Sequence, residues 1–485
     1  MSTQTQPTEL RGARLALFAV LALAAALRIA GALRKSLVLD EFHTWFHATR
    51  PSLQAFFETL EFDNHPPLGF ALVAAARVVF GASELALRTP ALLFGLVELA
   101  LLFVLARRLC GPRVALAATA LLALSSLHVD FSSQARMYAL HSLAASTTLV
   151  ALLRLLEAPP SRTAQVALAL SLATAFHTHY FGGQYVIVYA LALGLASALD
   201  PSLRPKLARL LAPVGVAALL CAPWALTGFA EQLGHALPPG GDRHSPVELA
   251  EAFVHLFFLN VRLGGDGWRE AFIAGGGALL LIAARGAWRL LRDPAQRGAG
   301  VMYVAGAFGA PLFAWLLALA LPRAGFNWHY VLPSALPMAL LAAAGARGLL
   351  RYLFGGALAL AALLTGLNLA TPGTEDFRGA VARALELHRP GDALISVEWQ
   401  PALFPQGQPY DYYAPRLVDA PPQRLPLEHF TLPDPRVLDS AQRVIVVRKS
   451  LPPGQHLAQL LEARFVRVQQ ESFGFDLDVS VWERR

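Results

Sequence analysis

The sequence predicts a polytopic α-helical membrane protein with about eleven transmembrane helices, short interfacial helices in its first outer loop, and a small C-terminal α/β domain. Hydrophobic residues make up 55% of the 485 residues, charged residues only 15%, and the mean hydropathy is +0.47. A water-soluble fold needs more polar surface than that. Apolar runs of about seventeen to twenty-two residues recur, each able to cross a hydrocarbon core of roughly 30 Å as a helix. Composition then changes at Thr371, beyond which proline and charge become frequent.

The runs fall at 14–32, 90–107, 114–129, 138–156, 164–181, 183–199, 208–228, 269–289, 300–321, 330–346 and 352–370. The first follows Arg11 and Arg14; with no small-residue cleavage site leading into a soluble domain, it reads as an uncleaved span. Eleven spans put the arginine-bearing connections (the N-terminus, Arg107 to Arg113, Arg154 to Arg162, Arg204 to Arg209, Arg285 to Arg297, Arg347 to Arg351) on one face. The positive-inside rule makes that face cytoplasmic. The net charge of +7 therefore reports membrane orientation rather than a nucleic-acid partner: only Lys35, Lys206 and Lys449 are lysines among the 40 basic residues. Cys110 and Cys221 sit beside a basic loop and within an apolar run, which suits neither a disulfide framework nor a metal knuckle.

The apolar piece Pro66 to Phe80 is short, opens on two prolines and carries Arg77, so it reads as a helix along the outer interface. Ser52 to Leu60 reads the same way, with Leu53, Phe56, Phe57 and Leu60 at helical spacing. The outer face then collects the loop 33–89, the turns 125–136 and 177–183, the loop Gly228 to Trp268, the turn 322–329, and everything after Ala370. Within Gly228 to Trp268, a glycine-containing stretch around Gly240 is expected to be a lid, and Val247 to Phe258 a short helix on Leu249, Phe253 and Phe257. This divides the chain into a transmembrane domain, 1–370, whose first outer loop is 33–89, and an α/β domain, 371–485, with strand-like runs starting at Ala393, Arg443 and Phe465.

The polar exceptions are the candidate chemistry. Asp40 and Glu41 stand just beyond the first span, and Asp63 and His65 follow about twenty residues later, before two prolines that force a turn. A carboxylate at a membrane face is costly and suits a general base. Arg136 and Tyr138 open the fourth span with Asp130 upstream; a guanidinium at that depth calls for an anion, and phosphate fits its geometry. His179 with Tyr180, and His329 with Tyr330, place imidazoles and phenols at the outer ends of two more spans. No glycine-rich nucleotide loop is evident.

The order Leu39-Asp-Glu, Asp63-Asn-His-Pro-Pro-Leu, Leu87-Arg-Thr-Pro, Ser133-Gln-Ala-Arg-Met-Tyr and His179-Tyr-Phe-Gly resembles the bacterial branch of the GT-C membrane glycosyltransferases. Its relatives are protein O-mannosyltransferases and the aminoarabinose transferases of lipid A. The resemblance covers most of 15–345 and extends to Glu375-Asp-Phe-Arg-Gly and Pro390-Gly-Asp, which are similar to the start of the periplasmic domain in many members. His329-Tyr330 departs from it, since an Arg-Tyr pair is common there.

The resemblance implies a sugar donor linked to a polyprenyl phosphate, inverting transfer on the periplasmic side of the bacterial inner membrane, and Asp40 as the catalytic aspartate. Glu41 joins Asp40 as a catalytic candidate. Asp63, His65, Asp130, Arg136, Tyr138, His179, Tyr180, His329 and Tyr330 are expected to bind substrate. The acceptor is a glycolipid, polysaccharide or protein. No redox or nucleotide cofactor is required; a divalent metal stays open, as does the oligomeric state. A transporter or flippase of lipid-linked sugars is the alternative class, but its polar groups belong at midplane, where these spans show Glu98 as the conspicuous exception. A non-catalytic envelope-assembly scaffold is a further alternative.

Overall fold

The computed structural model describes residues 7–61, 63–157, 161–234, 245–258, 266–320, 326–371, 373, 375–398, 408–428, 435–449, 455–474 and 476–485. Eight described helices are long and apolar enough to span: Gly12–Arg34, Glu84–Cys110, Tyr138–Leu156, Gly182–Leu199, Pro201–Leu226, Glu270–Arg292, Arg297–Ala320 and Leu350–Ala370. The protein is an integral, multi-pass membrane protein. The other three expected spans are shorter helices: Pro112–Ala123 with Ser126–Phe131 after it, Arg162–Thr178, and Ala335–Gly345 after a 3-10 turn at Trp328–Ser334. Two of these are cut by local chemistry. Ser125 caps the Ser126–Phe131 helix by accepting from His128 N–H, and Pro333 lies inside the 3-10 turn.

The chain folds as two compact units. The first comprises Met1–Gly31, Leu53–Leu72 and Arg88–Ala370; the second comprises Ala32–Ser52, Val73–Leu87 and Thr371–Arg485. In the first, helices Asp266–Arg292 and Ala335–Gly345 run so close at Gly286 and Gly345 that a Cβ on either would overlap the other helix's backbone. Helices in lipid gain little from burying oil against oil, so such close backbone packing is a main source of their association. Pro246–Phe258 is a helix with Leu256, Phe257 and Phe258 buried, as its apolar spacing predicts. Its backbone accepts from Ser126 Oγ at Phe257 O, 3.1 Å. The lid expected around Gly240 lies outside the described residues. Leu53–Leu60 is helical too, but only Phe56 and Leu60 are buried, while Leu53 and Phe57 are exposed, as suits an interfacial helix.

The second unit holds a five-stranded sheet, β1 Ala393–Glu398, β2 Arg424–Glu428, β3 Arg443–Lys449, β4 Phe465–Ser472 and β5 Leu477–Arg484, in the order β2-β1-β3-β5-β4. β1 runs parallel to β2 and β3, whereas β5 is antiparallel to β3 and β4. Ile395, Val444, Val446 and Trp482 pack with Leu457 and Leu461 into its core. Two strands escape the sequence reading. β2 carries Pro426, tolerated because β2 is an edge. β5 is buried along most of its length, its polar positions being satisfied internally: Arg448 pairs with Asp478 at 3.1 Å, and Trp482 Nε1 donates to Ser480 Oγ at 3.0 Å.

Candidate active site

Within the first unit, six of the expected substrate-binding residues come together from four separate segments. His65 and His179 stack edge to face with centroids 5.3 Å apart. Tyr138 meets His179 at 5.9 Å and His329 at 4.7 Å, and Tyr330 meets His179 at 4.9 Å and His329 at 4.4 Å. Arg136, only 7% exposed, places its guanidinium 5.7 Å from the Tyr138 ring centre. His141, which the sequence analysis did not single out, completes the cluster at 5.2 Å from His179. It lies within an otherwise apolar span, and its signal is its position one helical turn from Tyr138.

Hydrogen bonds define which nitrogens can act. Asp63 Oδ1 accepts from the His65 backbone N–H at 2.9 Å and lies 3.0 Å from Nδ1, so the ring keeps its proton on Nδ1 and leaves Nε2 as the acceptor. Phe181 N–H donates to His179 Nδ1 at 3.2 Å, which puts the proton of the neutral ring on Nε2. That Nε2 is buried and has no hydrogen-bond partner among the described residues. A donor so placed suits an anionic or hydroxyl oxygen. Tyr180 stands one layer out: its hydroxyl bonds Gln232 and accepts from Trp224 Nε1 at 3.0 Å, while Gln232 Nε2 donates to the carbonyls of Leu60 and His65 at 2.7 and 3.1 Å. Asp130 is engaged locally, accepting from Gln134 Nε2 at 2.8 Å.

The same unit carries a buried acid–base network. Arg28 Nη2 lies 2.7 Å from His128 Nδ1, His128 Nε2 lies 3.2 Å from Glu98 Oε2, and Ser142 and Ser146 donate to Glu98 Oε1 at 2.8 and 2.7 Å. All three titratable residues are fully buried. Gly95 allows the approach, since a Cβ there would collide with Ser132 Oγ. Glu98 was legible as a charge out of place; Arg28 and His128 as its partners were not.

In the second unit the neighbouring carboxylates part company. Helix Leu39–Ala48 begins with Asp40 exposed and Glu41 at 0% exposure. Glu41 turns back to accept from Val38 N–H at 3.0 Å, the return half of a capping box. Asp40 lies in the first helical turn, where the helix dipole favours an ionised carboxylate. Among the described residues no three His, Cys, Asp or Glu side chains are grouped so as to hold a metal ion.

The architecture matches an ArnT of Cupriavidus metallidurans solved with undecaprenyl phosphate, with a TM-score of 0.61 over 96% of this chain and 97% of that one, at 14% identity. The chain carries the GT-C fold. The oligosaccharyltransferase AglB of Archaeoglobus fulgidus, in complex with an inhibitory peptide and a dolichol-phosphate, matches this chain at a TM-score of 0.52 and 12% identity, covering 93% of this chain and 72% of that one. The same organism's oligosaccharyltransferase in complex with Zn and sulfate matches at 0.53 and 12% identity, over 88% and 68%. Residues 64–226 match the family model described as dolichyl-phosphate-mannose-protein mannosyltransferase, the stretch of the GT-C fold that contains His65, Arg136, Tyr138 and His179. Among curated protein sequences none matches.

Proposed function

We propose that the protein transfers a sugar from a polyprenyl-phosphate-linked donor to a periplasmic glycolipid, polysaccharide or protein, with inversion. The observation that carries the reading is the convergence of Arg136, His179 and His65 with Tyr138, His329 and Tyr330 in the membrane unit. A guanidinium beside an N–H held ready on His179 Nε2 is a donor set for a phosphoryl oxygen, and the phenol rings offer stacking faces to a sugar. Asp40 takes the proton of the attacking acceptor hydroxyl. The acceptor oxygen bonds to the anomeric carbon, the bond to the phosphate oxygen breaks, and the charge gathering on the departing polyprenyl phosphate is met by Arg136 and His179. Asp63 keeps the His65 tautomer, and Glu41 holds the helix end that bears Asp40.

On this reading 1–370 is the catalytic membrane domain of an inner-membrane protein with a cytoplasmic N-terminus, and 371–485 is periplasmic. Asp40→Asn keeps size while removing basicity. It is expected to abolish transfer from a purified polyprenyl-phosphate sugar while the protein still inserts and folds; full activity would overturn the assignment. A periplasm-dependent reporter fused after Ala370 is expected to be active, and one fused within Arg107 to Arg113 inactive.

A further inference from the structure

The segment after Thr371 makes a chemical investment in one short helix of its own unit, Leu39–Ala48. A helix leaves its first N–H groups without intrahelical acceptors. Here the first of them is taken by a residue more than three hundred positions away in sequence, for Leu39 N–H donates to Glu375 Oε2 at 2.8 Å. The other oxygen, Glu375 Oε1, is held by Lys449 Nζ from the end of β3. Ser36 Oγ donates to the Glu375 carbonyl at 2.8 Å and accepts from Phe377 N–H at 3.1 Å, and Leu37 N–H donates to the Tyr413 hydroxyl at 2.7 Å. Four consecutive residues, Ser36 to Leu39, are thereby fixed; Val38 is held by Glu41.

A second ion pair locks the same approach. Glu84 binds both Arg378 and the Tyr413 hydroxyl, and Arg378 Nη2 also donates to the Lys35 carbonyl at 3.3 Å. Burial alone would lower the Arg378 pKa, but the Glu84 carboxylate and Tyr413 hold it above its ordinary value. The far end of the helix is held as well: Arg77 Nε donates to Ala48 O at 3.0 Å, a cation on the carbonyl end. Phe42, on the buried side, meets Phe377, Tyr412 and Tyr413 edge to face at 5.5, 6.0 and 5.9 Å. Asp40 sits one residue beyond the Glu375 contact and is the exposed carboxylate of this rigidly held turn.

We infer that Glu375, backed by Lys449, is a positioning residue: the C-terminal segment sets the place and direction of the Asp40 carboxylate. This rests on the reading of Asp40 as the base. A general base must stay within hydrogen-bond reach of the proton it removes, and a displacement of about 1 Å can cost on the order of a hundredfold in rate. The inference assigns to the C-terminal domain a part in the turnover step itself.

The test compares Glu375→Ala, Glu375→Gln and Lys449→Met in the full-length, detergent-purified protein. Glu375→Ala loses the acceptor for Leu39 N–H and is expected to lower kcat by about tenfold to a hundredfold, with KM for the polyprenyl-phosphate sugar changed by less than about threefold. Glu375→Gln keeps an amide oxygen for that N–H and is expected to recover most of kcat; Lys449→Met falls between. Hydrogen exchange over residues 36–44, which needs no activity, is expected to quicken in Glu375→Ala and return toward wild type in Glu375→Gln. Unchanged exchange in Glu375→Ala overturns the inference, as does a Gln variant as impaired as Ala, or a kcat loss that only tracks the unfolded fraction. If exchange quickens as expected while Asp40→Asn stays active, it is the reading of Asp40 that fails, and the anchoring of the helix stands.

Discussion

Arg28, His128 and Glu98 in the membrane unit and Glu84, Arg378, Glu375 and Lys449 in the second unit are clusters of the same chemical groups in opposite surroundings. In the first, every member is fully buried and each is hydrogen-bonded across helices far apart in sequence. In the second, Arg378 is 37% exposed and Lys449 19% exposed at the side chain. A charge stripped of its partner inside the membrane has no water to turn to, whereas a partly exposed one has. The buried network is therefore expected to govern stability, and the partly exposed clasp geometry.

The largest expected effect breaks the first cluster. Glu98→Ala leaves Arg28 and His128 buried without their anion and is expected to cost about 3–5 kcal/mol, read as a large drop in the thermal midpoint in detergent. Glu98→Gln, which still accepts from Ser142 and Ser146, is expected to lose less. A midpoint for Glu98→Ala equal to wild type would erase the contrast between the two clusters.

Next in size, Arg136→Ala is expected to raise KM for the lipid-linked donor more than KM for the acceptor, because the guanidinium is assigned to the phosphate. A defect confined to the acceptor would move Arg136 out of the donor site. Salt then separates the clusters directly. At about 1 M, where the Debye length is roughly 3 Å, hydrogen exchange over residues 36–44 is expected to rise modestly, while protection around Glu98 stays as it was.

The smallest effect lies at the rim of the second unit. Burial, opposed by Arg424 and reinforced by Asp411, pushes the Tyr410 phenol up to about 12, and its hydroxyl donates to Pro422 O at 2.7 Å. A raised phenol favours the folded state below its ordinary pKa, and that contribution disappears as pH rises through about 12. Tyr410→Phe is expected to flatten this alkaline loss, followed through phenolate absorbance and unfolding midpoint together.

Much of the membrane protein was determined by sequence alone, because lipid imposes rules that read linearly. A span must be long and apolar, and an ionisable side chain left at its end stands out. Asp40, Asp63, His65, Arg136 and His179 were visible for that reason. Two expected spans shortened because Ser125 and Pro333 interrupt helices locally, which a hydropathy window averages away. Only tertiary structure separated Asp40 from Glu41, since adjacent carboxylates look alike until one is turned inward to cap a helix. It alone supplied His128 and Arg28 as the partners of Glu98, and Glu375 as the acceptor for Leu39 N–H. Hydrogen bonds between residues 30, 100 or 336 positions apart leave no periodicity, so the pairings existed only once the chain had closed on itself.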